Sequence, residues 1–243
     1  MPLAPPPAKP PHSGRVLDGS IAARVADVRA RIARACQRAK RDPREITLVG
    51  VTKLVPVECI REALDAGVSR LGENRVQEAL SKMRPLSERA PQWHFIGLLQ
   101  TNKARLAAEI FDCIESVDSL KLARALEEHA LEIGRALTVH VQVNVGGEQT
   151  KGGVPLEEVR SLIEEIDALP SILVTGIMAI PPPRPNEAAT RDDFKHLKEL
   201  FDSLRVAHPE IVSLSMGMSS DFEIAIEEGA TEVRVGTALF GSR

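Results

Sequence analysis

The chain lacks an excess of charge of either sign: 31 lysines and arginines against 34 acidic residues leave a formal net charge of -3. That balance removes the general attraction for nucleic acid or anionic membranes that a basic excess supplies, and it points to a small-molecule partner. Cysteine is scarce. Cys36, Cys59 and Cys113 are odd in number and too widely spaced for CxxC metal or redox chemistry, which suits a reducing compartment and buried or half-buried thiols. No apolar run reaches the length of a bilayer span, and the opening MPLAPPPAKPPHSGR has no apolar core of a secretory signal, so a cytoplasmic address is expected. Carboxylate pairs, HExxH-type metal sets, GxSxG and the Walker loop are absent as usable motifs.

What is present is the composition of an ordinary globular protein, 43% hydrophobic and 27% charged, at a length that one α/β barrel routinely fills. Residues 1–16 are Pro-rich and are expected to form an extended, disordered tail, since proline removes N–H donors and blocks helix. Residues 17–243 are expected to fold as one domain. Ile21, Val25, Val28, Ile32 and Cys36 recur at helical spacing and predict a leading amphipathic helix. Its arginines, continuing to Arg38, Lys40, Arg41 and Arg44, are read as a solvated face, because the acidic total argues against nucleic-acid contact.

From residue 46 onward, short apolar runs alternate with amphipathic stretches, the pattern of βα units and a parallel sheet. Eight strands are predicted, at 46–53, 69–74, 93–97, 113–117, 137–145, 172–180, 211–217 and 232–240. Helical stripes fall between them: Val57, Ile60 and Leu64; Leu156, Val159, Ile163 and Ile166; Phe194, Leu197, Phe201 and Leu204. Eight units close naturally into a (β/α)8 barrel of the triosephosphate isomerase type with an extra N-terminal helix. An open doubly wound sheet is the alternative, but the GxGxxG turn that would mark its dinucleotide site is missing.

Functional groups in such barrels stand at the C-terminal strand ends. Those ends are polar here: Lys53, Glu73 with Asn74, His94, Asn144, then Met178, Ser219 and Arg234 with Thr237. Side-chain alternation puts Thr47, Val49, Val51 and Lys53 on one face of the first strand. If that face is inward, Lys53 caps the interior, and partial desolvation favours the neutral amine that attacks an aldehyde. Otherwise it reaches out to solvent. In MGMSSD, Ser220 with Glu223 fits a helix capping box, which leaves Ser219 available for an anion at the helix start, with Gly236 and Thr237 as further donors. Arg234 is either an inward charge in need of a partner or half of a rim ion pair with Glu232 or Glu228. His94 is as well suited to bonding a neighbouring loop as to chemistry.

Seven blocks in order, VTK at 51–53, GENRVQE at 72–78, WHFIGLLQTNK at 93–103, QVN at 142–144, GIMAI at 176–180, SMGMSSD at 215–221 and VRVGTALFG at 233–241, resemble the pyridoxal phosphate homeostasis proteins, relatives of the alanine racemase amino-terminal barrel. The resemblance covers residues 20 to 243. It implies that pyridoxal 5'-phosphate (PLP) sits as a Schiff base on Lys53, that Ser219, Gly236 and Thr237 hold its phosphate, and that Arg234 faces the pyridine nitrogen. It further implies that Asn74, His94, Asn144 and Met178 surround the ring. One segment departs: after QVN the chain reads VGGEQTKGG, without the serine expected before Lys151.

An arginine at the ring nitrogen disfavours its protonation and weakens the cofactor as an electron sink. The racemases resemble two-base catalysts whose second base is a tyrosine, and this chain has none. Losing a positioned base costs on the order of 10²- to 10⁴-fold in rate. The resemblance therefore implies a vitamin B6 carrier that buffers PLP or supplies it to apoenzymes, expected to be a monomer. The alternative is a PLP-dependent enzyme, such as a slow amino-acid racemase or a lyase using His94.

Overall fold

The computed structural model describes residues 19–147 and 152–241. The Pro-rich stretch 1–16 and Lys151 lie outside those residues.

Eight parallel strands follow one another round a closed barrel: β1 (Thr47–Val51), β2 (Arg70–Glu73), β3 (Gln92–Phe95), β4 (Cys113–Val117), β5 (Leu137–Val143), β6 (Ile172–Ala179), β7 (Ser213–Ser215) and β8 (Glu232–Val235). Closure is direct, for Val49 of β1 is in register with Arg70 of β2 on one side and Arg234 of β8 on the other. The helices are α1 (Ile21–Ala39), α2 (Val57–Asp65), α3 (Val76–Leu86), α4 (Ala104–Ile110), α5 (Leu120–Glu132), α6 (Val159–Ile166), α7 (Glu187–Ala207), α8 (Phe222–Glu227) and α9 (Thr237–Phe240). Among the described residues, no helix is long and apolar enough to cross a membrane.

The predicted stripes face the core. Ile21, Val25, Val28, Ile32 and Cys36 of α1 are buried, as are Phe194, Leu197, Phe201 and Leu204 of α7. Ser20 caps α1 by accepting from Ala23 N–H at 3.1 Å, and Lys40 ends it in the left-handed conformation at φ 55°. The basic face of this helix is not merely solvated. Arg31 bonds Glu223 at 2.7 Å and lies 4.5 Å over the Phe222 ring, while Arg41 donates to the carbonyls of Ile226 and Ala230. These cations bond a first-turn carboxylate of α8, the Ile226 carbonyl near its end and the Ala230 carbonyl beyond it, so they fasten the extra helix to the barrel.

Two segments fold differently from their sequence pattern. The stretch predicted as a strand to residue 240 stops at Val235, and Thr237–Phe240 turns into α9, because Gly236 breaks the extended run and the N–H groups of Leu239 and Phe240 bond back to Gly236. The capping box of Ser220 and Glu223 does not form. Asp221 is the N-cap residue of α8, its carboxylate takes the N–H of Met218 instead, and Glu223 is drawn off by Arg31.

The space between strands and helices is filled with aliphatic and phenylalanine side chains. The barrel interior is different: His94, Glu115, His140, Ser215, Glu232 and Arg234 are all buried there, where branched aliphatics usually pack. Buried polar groups need partners, and His94, Glu115, Ser215 and Arg234 find them strand to strand, whereas His140 Nδ1 and Glu232 Oε1 have no hydrogen-bond partner.

Candidate functional site

At the C-terminal end of the barrel a cavity of about 620 Å³ is lined by Val51, Lys53, Met218, Ser219, Ser220, Arg234, Gly236, Thr237 and Ala238. Five residues predicted from sequence thus converge: Lys53 from the turn after β1, Ser219 from the loop after β7, and Arg234, Gly236 and Thr237 from β8 and its exit. Val51, Met218, Ser220 and Ala238 complete the wall. Ser220 was obscured by its fit to a helix cap, and Ala238 by its place in what read as a strand.

The Ser219 hydroxyl accepts the backbone N–H groups of Gly236 and Ala238, each at 3.2 Å. Both N–H groups are thereby occupied, and the hydroxyl is fixed at the exit of β8 on the cavity wall, with its own O–H left to donate. A hydroxyl donor of this kind suits a phosphate, whose oxygens are strong acceptors. At the start of α8 the N–H groups of Asp221 and Phe222 are likewise taken, by the carbonyl of Met218.

Lys53 is exposed rather than buried in the barrel interior, since β1 ends at Val51 and the lysine stands in the turn that follows, at the cavity rim. The turn itself is sharply defined. Val55 N–H closes onto Thr52 carbonyl at 2.9 Å, and Leu54 takes φ 59°, a left-handed conformation that costs a non-glycine residue about 1–2 kcal/mol.

Arg234 is an inward charge, not a rim ion pair with Glu232 or Glu228. Its guanidinium bonds the Ser215 hydroxyl and the Ala179 carbonyl, the latter at 2.8 Å, and lies 3.7 Å from Glu115. Glu115 is the centre of the buried column: it accepts from Ser215 at 2.6 Å and from His94 Nδ1 at 2.8 Å. Burial works to raise the Glu115 carboxyl, but the hydrogen bond and charge of His94, with Arg234, hold it well below the usual carboxylate range. His94 is correspondingly raised, since Glu115 outweighs the lowering effect of burial. His140, buried without a bond to Nδ1, is pushed down to about 4, chiefly by burial.

His94 is therefore not a cavity residue. It faces a separate opening of about 330 Å³ at the N-terminal strand ends, with Cys113, His140 and Glu232, and Glu115 links it to Arg234. Asn144 lines a third cavity of about 270 Å³ with Gln142, Gly152 and Ile180. Met178 is fully buried in β6, and Asn74 is half-buried after β2, its backbone pressed by Gly97, where a Cβ would stand 2.5 Å from the Asn74 carbonyl oxygen. None of these four lines the Lys53 cavity, although Met178, in register with Ser215, faces the same barrel interior as Arg234. The three cysteines are free, with Cys36 and Cys113 buried and Cys59 half-buried.

Comparison with known proteins agrees with this architecture. The family description "Alanine racemase, N-terminal domain" matches residues 24–243. The pyridoxal phosphate homeostasis protein of Pseudomonas aeruginosa is 46% identical over 224 residues, 92% of this chain and 96% of that protein. Its Aquifex aeolicus counterpart is also 46% identical, covering 90% and 97% of the two chains. The structure of PipY from Synechococcus elongatus with PLP bound superposes with a TM-score of 0.80 at 38% identity, over 91% of this chain and 100% of that one. Alanine racemase from Streptomyces coelicolor shares the fold at 18% identity and a TM-score of 0.70, this chain spanning 59% of the enzyme. The chain belongs to the pyridoxal phosphate homeostasis protein family, built on the alanine racemase N-terminal barrel.

Proposed function

We propose that this protein binds PLP reversibly through Lys53 in the C-terminal cavity and buffers or supplies it in vitamin B6 homeostasis, as a cytoplasmic monomer that hands the cofactor to PLP-dependent apoenzymes. The observation that carries this reading is one cavity holding an exposed amine, a phosphate-suited cradle and a fixed cation. PLP supplies an aldehyde that condenses reversibly with a neutral amine. Lys53 places its side-chain amine at the cavity. The N–H groups of Gly236 and Ala238 hold the Ser219 oxygen, and the Ser219 O–H, with Thr237 beside it, is left to orient the phosphate. Arg234, anchored by Ser215, Glu115 and the Ala179 carbonyl, keeps a permanent positive charge at the wall and opposes protonation of a ring nitrogen held against it.

The same geometry favours holding over turnover. Tyrosine is absent from the chain, and His94, the base on which an enzymatic reading would rely, faces the opposite end of the barrel. Asn74, Asn144 and Met178 belong to the surroundings rather than the contacts. The test is to load the protein with PLP, record its visible absorption, reduce it with borohydride and map the fixed adduct by peptide mass, with Lys53→Ala in parallel. A phosphopyridoxyl mass on Lys53 that vanishes in the variant supports the reading. Equal labelling of surface lysines, or none, defeats it, and amino-acid turnover lost with Lys53→Ala favours the enzyme.

A further inference from the structure

Behind the Lys53 turn lies a buried ionic cluster that touches neither the cavity nor the Arg234 column. Lys82 of α3, with 7% of its side chain exposed, places its ammonium 2.7 Å from each of three acceptors: the Glu73 carboxylate, the Glu78 carboxylate and the backbone carbonyl of Thr52. All three ammonium N–H donors are thereby used. Glu73 also accepts the Thr52 hydroxyl at 2.7 Å, and Thr52 N–H bonds the Gly72 carbonyl at 2.9 Å. Glu78 reaches further and accepts the backbone N–H of Leu54. The residues on both sides of Lys53 are therefore tied to one cluster, through Thr52 before it and Leu54 after it.

This placement has no counterpart in core packing. Leu54 is 72% exposed, so little burial offsets its left-handed backbone. A strained, exposed residue persists only where its surroundings hold it. Burial raises Glu73 despite its bonds from Lys82 and Thr52. Glu78, though burial opposes its charge, is held below the usual range by Lys82 and the Leu54 N–H. The acceptor for Leu54 is accordingly a carboxylate, the stronger kind.

We infer that Glu78, oriented by Lys82 and Glu73, is a positioning residue that clamps the Thr52–Val55 turn and presents the Lys53 amine to the cavity in a fixed direction. The inference rests on the reading of Lys53 as the lysine that takes up PLP. A turn fixed in advance spends less freedom when the lysine reacts, so the clamp shows as capture rate rather than only as stability.

The test has two readouts, with melting temperature followed alongside. In the cofactor-free protein, hydrogen exchange at Leu54 N–H is compared for wild type and Glu78→Ala. PLP capture at Lys53 is then timed by absorbance, and the product fixed by borohydride, for wild type, Glu78→Ala and Glu78→Gln. Glu78→Ala accelerates Leu54 exchange while strand amides stay protected, and capture slows by about tenfold, the usual worth of a hydrogen bond to a charged group. Glu78→Gln keeps most of the rate, since its side-chain carbonyl oxygen still accepts the Leu54 N–H at the same length. Capture by Glu78→Ala at the wild-type rate overturns the inference alone, and so does a loss that spreads to all amides and is shared by Glu78→Gln. A wild-type chain that takes no adduct on Lys53 overturns the reading of Lys53 and this inference with it.

Discussion

Replacing Glu232 by glutamine should make the protein more stable, and by an amount that depends on pH. Glu232 is 3% exposed on the inward face of β8, its Oε1 has no hydrogen-bond partner, and its ligand-type atom lies within 4.8 Å of those of His94 and Glu115. Burial, and then the charge of Glu115, raise its carboxyl from 4.5 to about 7, against the opposing pull of His94, Ser215 and Arg234. Between those values the folded chain holds a proton that the unfolded chain has released, so Glu232 costs stability as pH rises from about 4.5 to about 7, and the cost is complete above that. The interval corresponds to about 3 kcal/mol. Glutamine mimics the protonated acid at every pH. Glu232→Gln should therefore melt with the wild type near pH 4.5 and about 6–12 °C higher at pH 8, taking about 2–4 °C per kcal/mol for a chain of this size. Thermal melts of both proteins from pH 4.5 to 8.5 decide it. A gap that does not grow with pH, or a wild type more stable at pH 8, refutes the account of this buried column.

Ser219→Ala removes the acceptor for the Gly236 and Ala238 N–H groups and a hydroxyl from the cavity, and it should weaken PLP retention about tenfold in equilibrium dialysis with little change in melting temperature. Gly176→Ala is a backbone test: a Cβ there would lie 2.4 Å from the Ser213 carbonyl oxygen, so β6 and β7 must part, lowering stability by about 2–3 kcal/mol in denaturant titrations.

Much of the site was legible because each of its residues sits beside a strand end that apolar periodicity already marks. Lys53 follows VGVT, Arg234 lies within VRV, and Ser219 stands in a Gly- and Ser-rich loop before a helix. The polar barrel interior was legible too, in retrospect: in LTVHVQV the polar residues occupy every second place, so Thr138, His140 and Gln142 share one face. That pattern says which residues share a face, but not which level of the barrel they occupy. His94 read as a cavity residue for this reason, though β3 sets it beneath Glu115 at the other opening.

By itself the sequence determined the eight βα units, the leading helix and the residue types available at each strand end, because periodicity and burial are local properties that a chain carries in its order. Tertiary structure alone decided that Glu115 partners Arg234 across 119 positions' difference in number, that Arg31 rather than Ser220 engages Glu223, and that Lys82 reaches round Lys53. Those pairings depend on barrel closure, which brings β8 against β1 and sets the depth of every inward side chain. Distance in a closed barrel is fixed by register and stagger, and neither is written in the spacing of residues along one strand.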